Sequence, residues 1–171
     1  MSKSPKEFVP LTVAVMTVSD SRNEQNDTSG DYLSEAVTAA GHQLTEQVIC
    51  ADNRYQIRAV VSRWIASEQV QVVIINGGTG FNVKNSTPEA LLPLLDRTID
   101  GFGELFRMIS FEEIGSSTLQ SRAVAGMANQ TLIFAVPGST GACRQAWEMI
   151  ISSQIDATTA PCNFVSQLKK F

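Results

Sequence analysis

The chain has 171 residues, 43% hydrophobic and 18% charged, enough apolar material for one folded core and far from the composition of a disordered segment. Its formal net charge is −4 and its 13 basic residues are scattered, so it lacks the electrostatic footprint of a nucleic-acid-binding protein. Cys50, Cys143 and Cys162 are odd in number, widely spaced and free of any CxxC, which argues against a disulfide framework and a zinc site. No apolar run approaches the roughly 18 residues of a membrane span. The polar start, MSKSPKEFVP, has no secretory h-region, so a soluble cytoplasmic protein is expected.

Residues 11–18 (LTVAVMTV) form a short β-branched run that predicts a strand buried on both faces. It breaks at Ser19-Asp20-Ser21-Arg22. A helix follows over residues 30–40, with Ser29 as cap, Leu33, Ala36, Val37 and Ala40 on one face, and Gly41 as stop. His42, the only histidine, falls in this stop and reads as a turn residue. Gln43–Cys50 alternates as a half-exposed strand, and Asn53 caps a helix reaching Ser67 with Ile57, Val60, Val61, Trp64 and Ile65 as its apolar stripe.

Residues 70–75 (VQVVII) predict a second buried strand, which runs into Asn76-Gly77-Gly78-Thr79-Gly80. Thr87-Pro88-Glu89-Ala90 is a helix start, with threonine as cap and proline at the first helical position, and the helix is expected to reach Asp96. Residues 101–111 form another amphipathic helix through Phe102, Leu105, Phe106 and Ile109. Thr131–Val136 is the third buried strand. It ends in Pro137-Gly138-Ser139-Thr140, where Ser139 or Thr140 caps a long final helix through Ala142, Ala146, Trp147 and Ile150. After Ile155 periodicity is lost and an irregular tail is expected. Four successive strand–loop–helix units predict an α/β domain with a mostly parallel sheet covered by helices on both faces.

Ligands of such sheets sit beyond the carboxyl ends of the strands. Three buried strands here end in small or hydroxyl-bearing loops, Ser19-Asp20-Ser21, Gly77-Gly78-Thr79-Gly80 and Pro137-Gly138-Ser139-Thr140. Backbone N–H groups of glycines, hydroxyls and helix N-termini together favour an anion. GGTG matches neither GxxxxGK[ST] nor GxGxxG, so neither a P-loop NTPase nor a standard NAD enzyme fits. Asp20 and Asp52 are candidate magnesium ligands; the alternative is that each caps its own loop or helix. Arg107 and Arg122 can grip phosphate or pair with a surface acid.

The ordered set Thr17-Val18-Ser19-Asp20, Asp27-Thr28-Ser29-Gly30, Gly77-Gly78-Thr79-Gly80, Thr87-Pro88-Glu89-Ala90, Gly101-Phe102-Gly103-Glu104 with Arg107, Ser121-Arg122 and Pro137-Gly138-Ser139 resembles the MoaB/Mog family of molybdenum-cofactor biosynthesis proteins. Stretches 112–125 and 139–147 look closer to its MoaB branch. The resemblance covers about residues 10–163 of a single 1–171 domain. It implies a three-layer α/β/α fold whose mostly parallel sheet has one antiparallel edge strand. It also implies assembly into trimers or hexamers and molybdopterin as ligand. Since residues 101–111 have more apolar side chains than one helix face needs, Phe102, Phe106 and Phe111 are expected to contribute to the subunit interface.

In the Mog branch the family adenylylates molybdopterin with Mg-ATP, releasing pyrophosphate. Carried over by position, Gly77, Gly78, Thr79, Gly80, Ser121, Pro137, Gly138 and Ser139 match ligand-binding segments, and Asp52 matches one catalytic carboxylate. The second falls at Asn85, which can offer a carbonyl but no charge to magnesium. The expectation is therefore a molybdopterin-binding protein with weak or no adenylyl transfer. The alternatives are an active molybdopterin adenylyltransferase in which Asp20 or Asp27 supplies the missing carboxylate, and a non-catalytic oligomeric partner protein.

Overall fold

Burial on both faces of β1 (Thr12–Val18) organises the molecule into layers. Val13 and Val15 point to one side of the sheet and Ala14, Met16 and Val18 to the other, all buried. The structure, a computed structural model, describes residues 7–170, and the start of the polar N-terminal stretch lies outside them. In chain order the elements are β1, α1 (Thr28–Ala39), β2 (Gln43–Cys50), α2 (Arg54–Ala66), β3 (Val72–Asn76), α3 (Thr87–Leu91), β4 (Arg97–Thr98), α4 (Asp100–Ile114), β5 (Val124–Ala128), β6 (Thr131–Val136), α5 (Thr140–Ala146) and α6 (Ser152–Gln154). A π-helical turn, Trp147–Ile151, joins the last two helices into one rod.

The sheet order is β2-β1-β3-β6-β5-β4. β2, β1, β3 and β6 are mutually parallel; β5 runs antiparallel between β6 and the two-residue edge strand β4. Helices α1, α4 and α5 cover one face through Leu33, Val37, Phe102, Phe106, Cys143 and Ala146. Helices α2 and α3 cover the other through Ile57, Val61, Trp64, Ala90 and Leu91. Among the described residues no helix is long and apolar enough to cross a membrane. All three cysteines are free, and burial pushes the Cys143 thiol up to about 12, which makes it an inert core group.

Several boundaries differ from expectation. α1 is capped by Asp27, not Ser29: the Asp27 carboxylate accepts from Gly30 N at 3.0 Å, while the Ser29 hydroxyl donates to Gly138 O at 2.9 Å. The third helix begins one residue early, with Ser86 in the cap position and Thr87 inside it. It stops at Leu91 instead of reaching Asp96. Continuing it would set the Pro93 ring against the Glu89 carbonyl, so the chain tightens into a 3₁₀ turn at Leu92–Leu94. The sequence reading also missed β4, β5 and the tight β5–β6 hairpin. Asn129 and Gln130 form that turn with φ of 45° and 59°, without the Asn-Gly signature of such hairpins. The final stretch has no long element, yet Leu168 is buried in the α1 face of the core.

Candidate functional site

Parallel register brings the predicted loops to one edge. Thr17 pairs with Asn76, Asn76 with Val136 and Val18 with Cys50, so the segments after β1, β2, β3 and β6 leave the sheet side by side. β1 is the point where the chain order reverses, with β2 on one flank and β3 on the other, and ligands of open α/β sheets bind beside such a switch.

Glycine makes the close approach of these loops possible. Gly77 has φ +93°, and a Cβ there would lie 2.3 Å from the Val18 carbonyl oxygen. Gly78 has φ +65°, and its Cβ would meet the Thr87 hydroxyl at 2.2 Å. A Cβ on Gly138 would sit 3.1 Å from the Gly77 Cα, so the GGTG and PGS loops touch. Ser139 is tied up capping α5 through Ala142 N at 3.2 Å, and Ser19 accepts from Arg22 N at 3.1 Å within its own loop. Thr79 is buried.

Beneath the loops lies a buried polar chain that sequence reasoning did not assign to the site. Asn76 Nδ2 donates to Thr17 Oγ1 at 2.8 Å, and Thr17 Oγ1 donates to Asp27 Oδ2 at 2.7 Å. Asn76 Oδ1 is buried without a partner. The available signal was Asn76 itself, a polar residue ending an apolar strand.

The outer rim is a second polar cluster. Asp52 Oδ1 accepts from Ser86 N at 3.0 Å and Ser86 Oγ at 2.7 Å, and its Oδ2 accepts from Asn85 Nδ2 at 3.2 Å. Asp20 Oδ1 accepts from Asp52 N at 3.0 Å, and Oδ2 pairs with Lys84 Nζ at 3.1 Å. The Lys84 hydrogen bond, followed by the Asp52 N–H, holds the Asp20 carboxyl below the usual carboxylate range. The structure thus joins Asp20, Asp52 and Asn85 and adds Lys84 and Ser86.

The arginines divide. Arg122 donates to the carbonyls of Thr79, Gly80 and Asn85, pairs with Glu89, and packs over the Phe81 ring at 5.1 Å. It clips the GGTG loop to α3. Arg107 instead lines a neighbouring cavity of about 470 Å³ with Ser121, and donates to the Ser121 carbonyl at 3.3 Å. A smaller cavity of about 220 Å³ lies at Asn85 and Ser86, and Arg122 borders both. His42 is a turn residue as expected: its Nδ1 accepts from Leu11 N at 3.1 Å.

The rim residues do not fit a magnesium ion. Among the described residues no three histidine, cysteine or acidic side chains gather as ligands. Every oxygen of Asp20 and Asp52 already faces a protein donor, and Asn85 presents its NH₂ rather than its carbonyl to Asp52.

A doubly wound α/β sheet with glycine-rich loops gathered at its switch point is the architecture of a domain that binds a small anionic ligand. Residues 14–157 match the family described as "Probable molybdopterin binding domain", and the chain belongs to that family. It is 61% identical over 170 residues to molybdenum cofactor biosynthesis protein B of Escherichia coli K12, covering 99% of this chain and 100% of that one. Among solved structures it resembles a molybdenum cofactor biosynthesis protein B (TM-score 0.83, 42% identity, 90% of this chain and 94% of the other). It also resembles the tungsten cofactor synthesizing protein MoaB of Pyrococcus furiosus (TM-score 0.76, 31% identity, 82% and 90%). The fold and family expected from the sequence are thereby borne out.

Proposed function

We propose that this protein acts in molybdenum-cofactor biosynthesis by binding molybdopterin in the carboxyl-edge crevice, with weak or no adenylyl transfer. The observation that carries this reading is the pairing of Asp52 with an amide. Asn85 Nδ2 lies 3.2 Å from Asp52 Oδ2, where an adenylyl transferase of the family would bring a second carboxylate. Phosphoryl-type transfer depends on charge placed around the phosphates, and this rim offers little beyond its own balanced groups. Gly77, Gly78, Thr79, Gly80 and Gly138 would approach the ligand by backbone, and Ser121, Arg107 and Arg122 would border its phosphate.

The competing reading, an active molybdopterin adenylyltransferase using Mg-ATP, needs Asp20 or Asp27 to supply the missing charge. Asp27 is buried beneath α1 with Thr17 and Gly30, and Asp20 is held by Lys84. Both placements favour the binding role. Titrating the protein with molybdopterin and following pterin fluorescence tests it: saturable binding supports the reading, and no binding at any accessible concentration contradicts it.

We also infer a cytoplasmic homo-oligomer, a trimer or hexamer. Leu105, Met108, Phe111 and Ile114 of α4 and the following Leu119 are exposed apolar side chains. Phe102 and Phe106, which the sequence had placed at the interface, are in the core, because their side of α4 faces the sheet. Light scattering should give a multiple of 18.5 kDa; a monomer mass would contradict it.

A further inference from the structure

We propose that the Lys84 ammonium and the Asn85 amide stand where a divalent cation would sit at this rim, so that the rim holds no metal. Four carboxylate oxygens of Asp20 and Asp52 receive five protein donors. These are Asp52 N and Lys84 Nζ on Asp20, and Ser86 N, Ser86 Oγ and Asn85 Nδ2 on Asp52. A hard cation binds through oxygens that turn their lone pairs to it, and here each oxygen is turned to a hydrogen.

The orientation of Asn85 is fixed by its neighbours. Its Oδ1 accepts from Asn82 N at 3.2 Å while its NH₂ faces Asp52. Turning the amide over would set oxygen against carboxylate and NH₂ against N–H, two repulsive contacts in place of two hydrogen bonds.

One turn delivers both groups. Lys84 N donates to Asn82 Oδ1 at 3.2 Å and Asn85 N to Asn82 O at 2.8 Å, closing the turn, while Arg122 holds the Asn85 carbonyl at 2.8 Å. The ammonium therefore arrives beside Asp20 as part of the same loop that carries the amide to Asp52. It supplies positive charge beside Asp20, but through N–H donors that cannot take lone pairs from ligand oxygens as a metal does.

Manganese serves as the probe, read by the loss of its free electron-paramagnetic-resonance signal. Wild type should show no saturable Mn²⁺ binding at this rim. The double variant Lys84→Gln with Asn85→Asp should bind it, with each change tightening the affinity on the order of tenfold. Wild type that binds Mn²⁺ stoichiometrically and loses it in Asp52→Asn would overturn the proposal. So would a double variant that is folded by circular dichroism yet no better at binding Mn²⁺ than wild type. Should that variant unfold, Lys84→Gln alone decides, since the Lys84 side chain is 76% exposed: a gain supports the proposal and no gain overturns it.

A second measurement rests on the pterin reading of the crevice. Molybdopterin should bind wild type equally well in EDTA and in excess magnesium, and a requirement for magnesium would overturn the proposal. If pterin binds under neither condition, the pterin reading fails while the manganese result still decides this one.

Discussion

The two edges of the sheet use polar side chains in opposite ways. At the amino edge they fasten the chain to itself: His42 Nδ1 accepts from Leu11 N, and Gln71 accepts from Thr12 N at 3.0 Å while donating to Lys169 O at 2.6 Å. Lys169 in turn donates to the carbonyls of Ile65 and Ser67 at 2.7 and 2.6 Å. At the carboxyl edge the backbone bends through positive φ at Gly77 and Gly78, and side chains bond across loops. Polar groups that finish on backbone close a structure. At the second edge polar side chains tie together loops that leave several different strands, and the proposed site lies there.

The largest effect that would test this division is at Gly77. Gly77→Ala places a Cβ 2.3 Å from the Val18 carbonyl in an unfavourable backbone region, and should cost about 3–5 kcal/mol. Thermal melts should drop steeply and pterin binding should be lost; a melt within a few degrees of wild type would show that the loops are not as tightly packed as described.

Asp27→Ala comes next. It removes the cap of α1 and leaves the Thr17 hydroxyl and Gly30 N–H without their acceptor, for an expected loss of about 2–3 kcal/mol by urea unfolding. Pterin affinity at the outer rim should change much less than stability. At the amino edge, Gln71→Ala should cost about 1–2 kcal/mol by the same measurement and leave pterin affinity unaltered. Weakened binding there would break the separation of the two edges.

The smallest effect is a pH dependence. Burial lowers the His42 pKa, only partly offset by Asp156, so protonation favours the unfolded chain. The neutral ring's contribution is complete above about pH 6.5 and declines as the pH falls through that value toward the lower folded-state pKa. Comparing urea stability of wild type and His42→Gln between pH 5 and 7.5 should show wild type losing slightly more stability than the variant on acidification. Identical profiles would mean His42 titrates alike in both states.

Much of this was readable in the chain itself. The strands β1, β3 and β6 carry mostly apolar, β-branched-rich runs because helices cover both sides, and Asn53 and Ser139 cap their helices as their positions predict. β5 was not readable, since Gly126 interrupts it and is required by the Arg97 carbonyl, 2.6 Å from where its Cβ would stand. In the site, the resemblance singled out Asp52 and Asn85, but Lys84 looked like any surface lysine. Its role depends on Asp20, brought near by the fold from 64 positions away. Arg122 was chosen for phosphate, and only the folded loop reveals the carbonyls that occupy its donors.

The most direct test of the central claim mixes the purified protein with molybdopterin and Mg-ATP and follows pyrophosphate release alongside pterin binding, in wild type and in Asn85→Asp. Wild type should bind pterin and release little or no pyrophosphate. Asn85→Asp should gain turnover, and recovering about 3 kcal/mol of transition-state stabilisation would raise the rate roughly a hundredfold. Rapid pyrophosphate release by wild type, abolished by Asp52→Ala, would contradict the account.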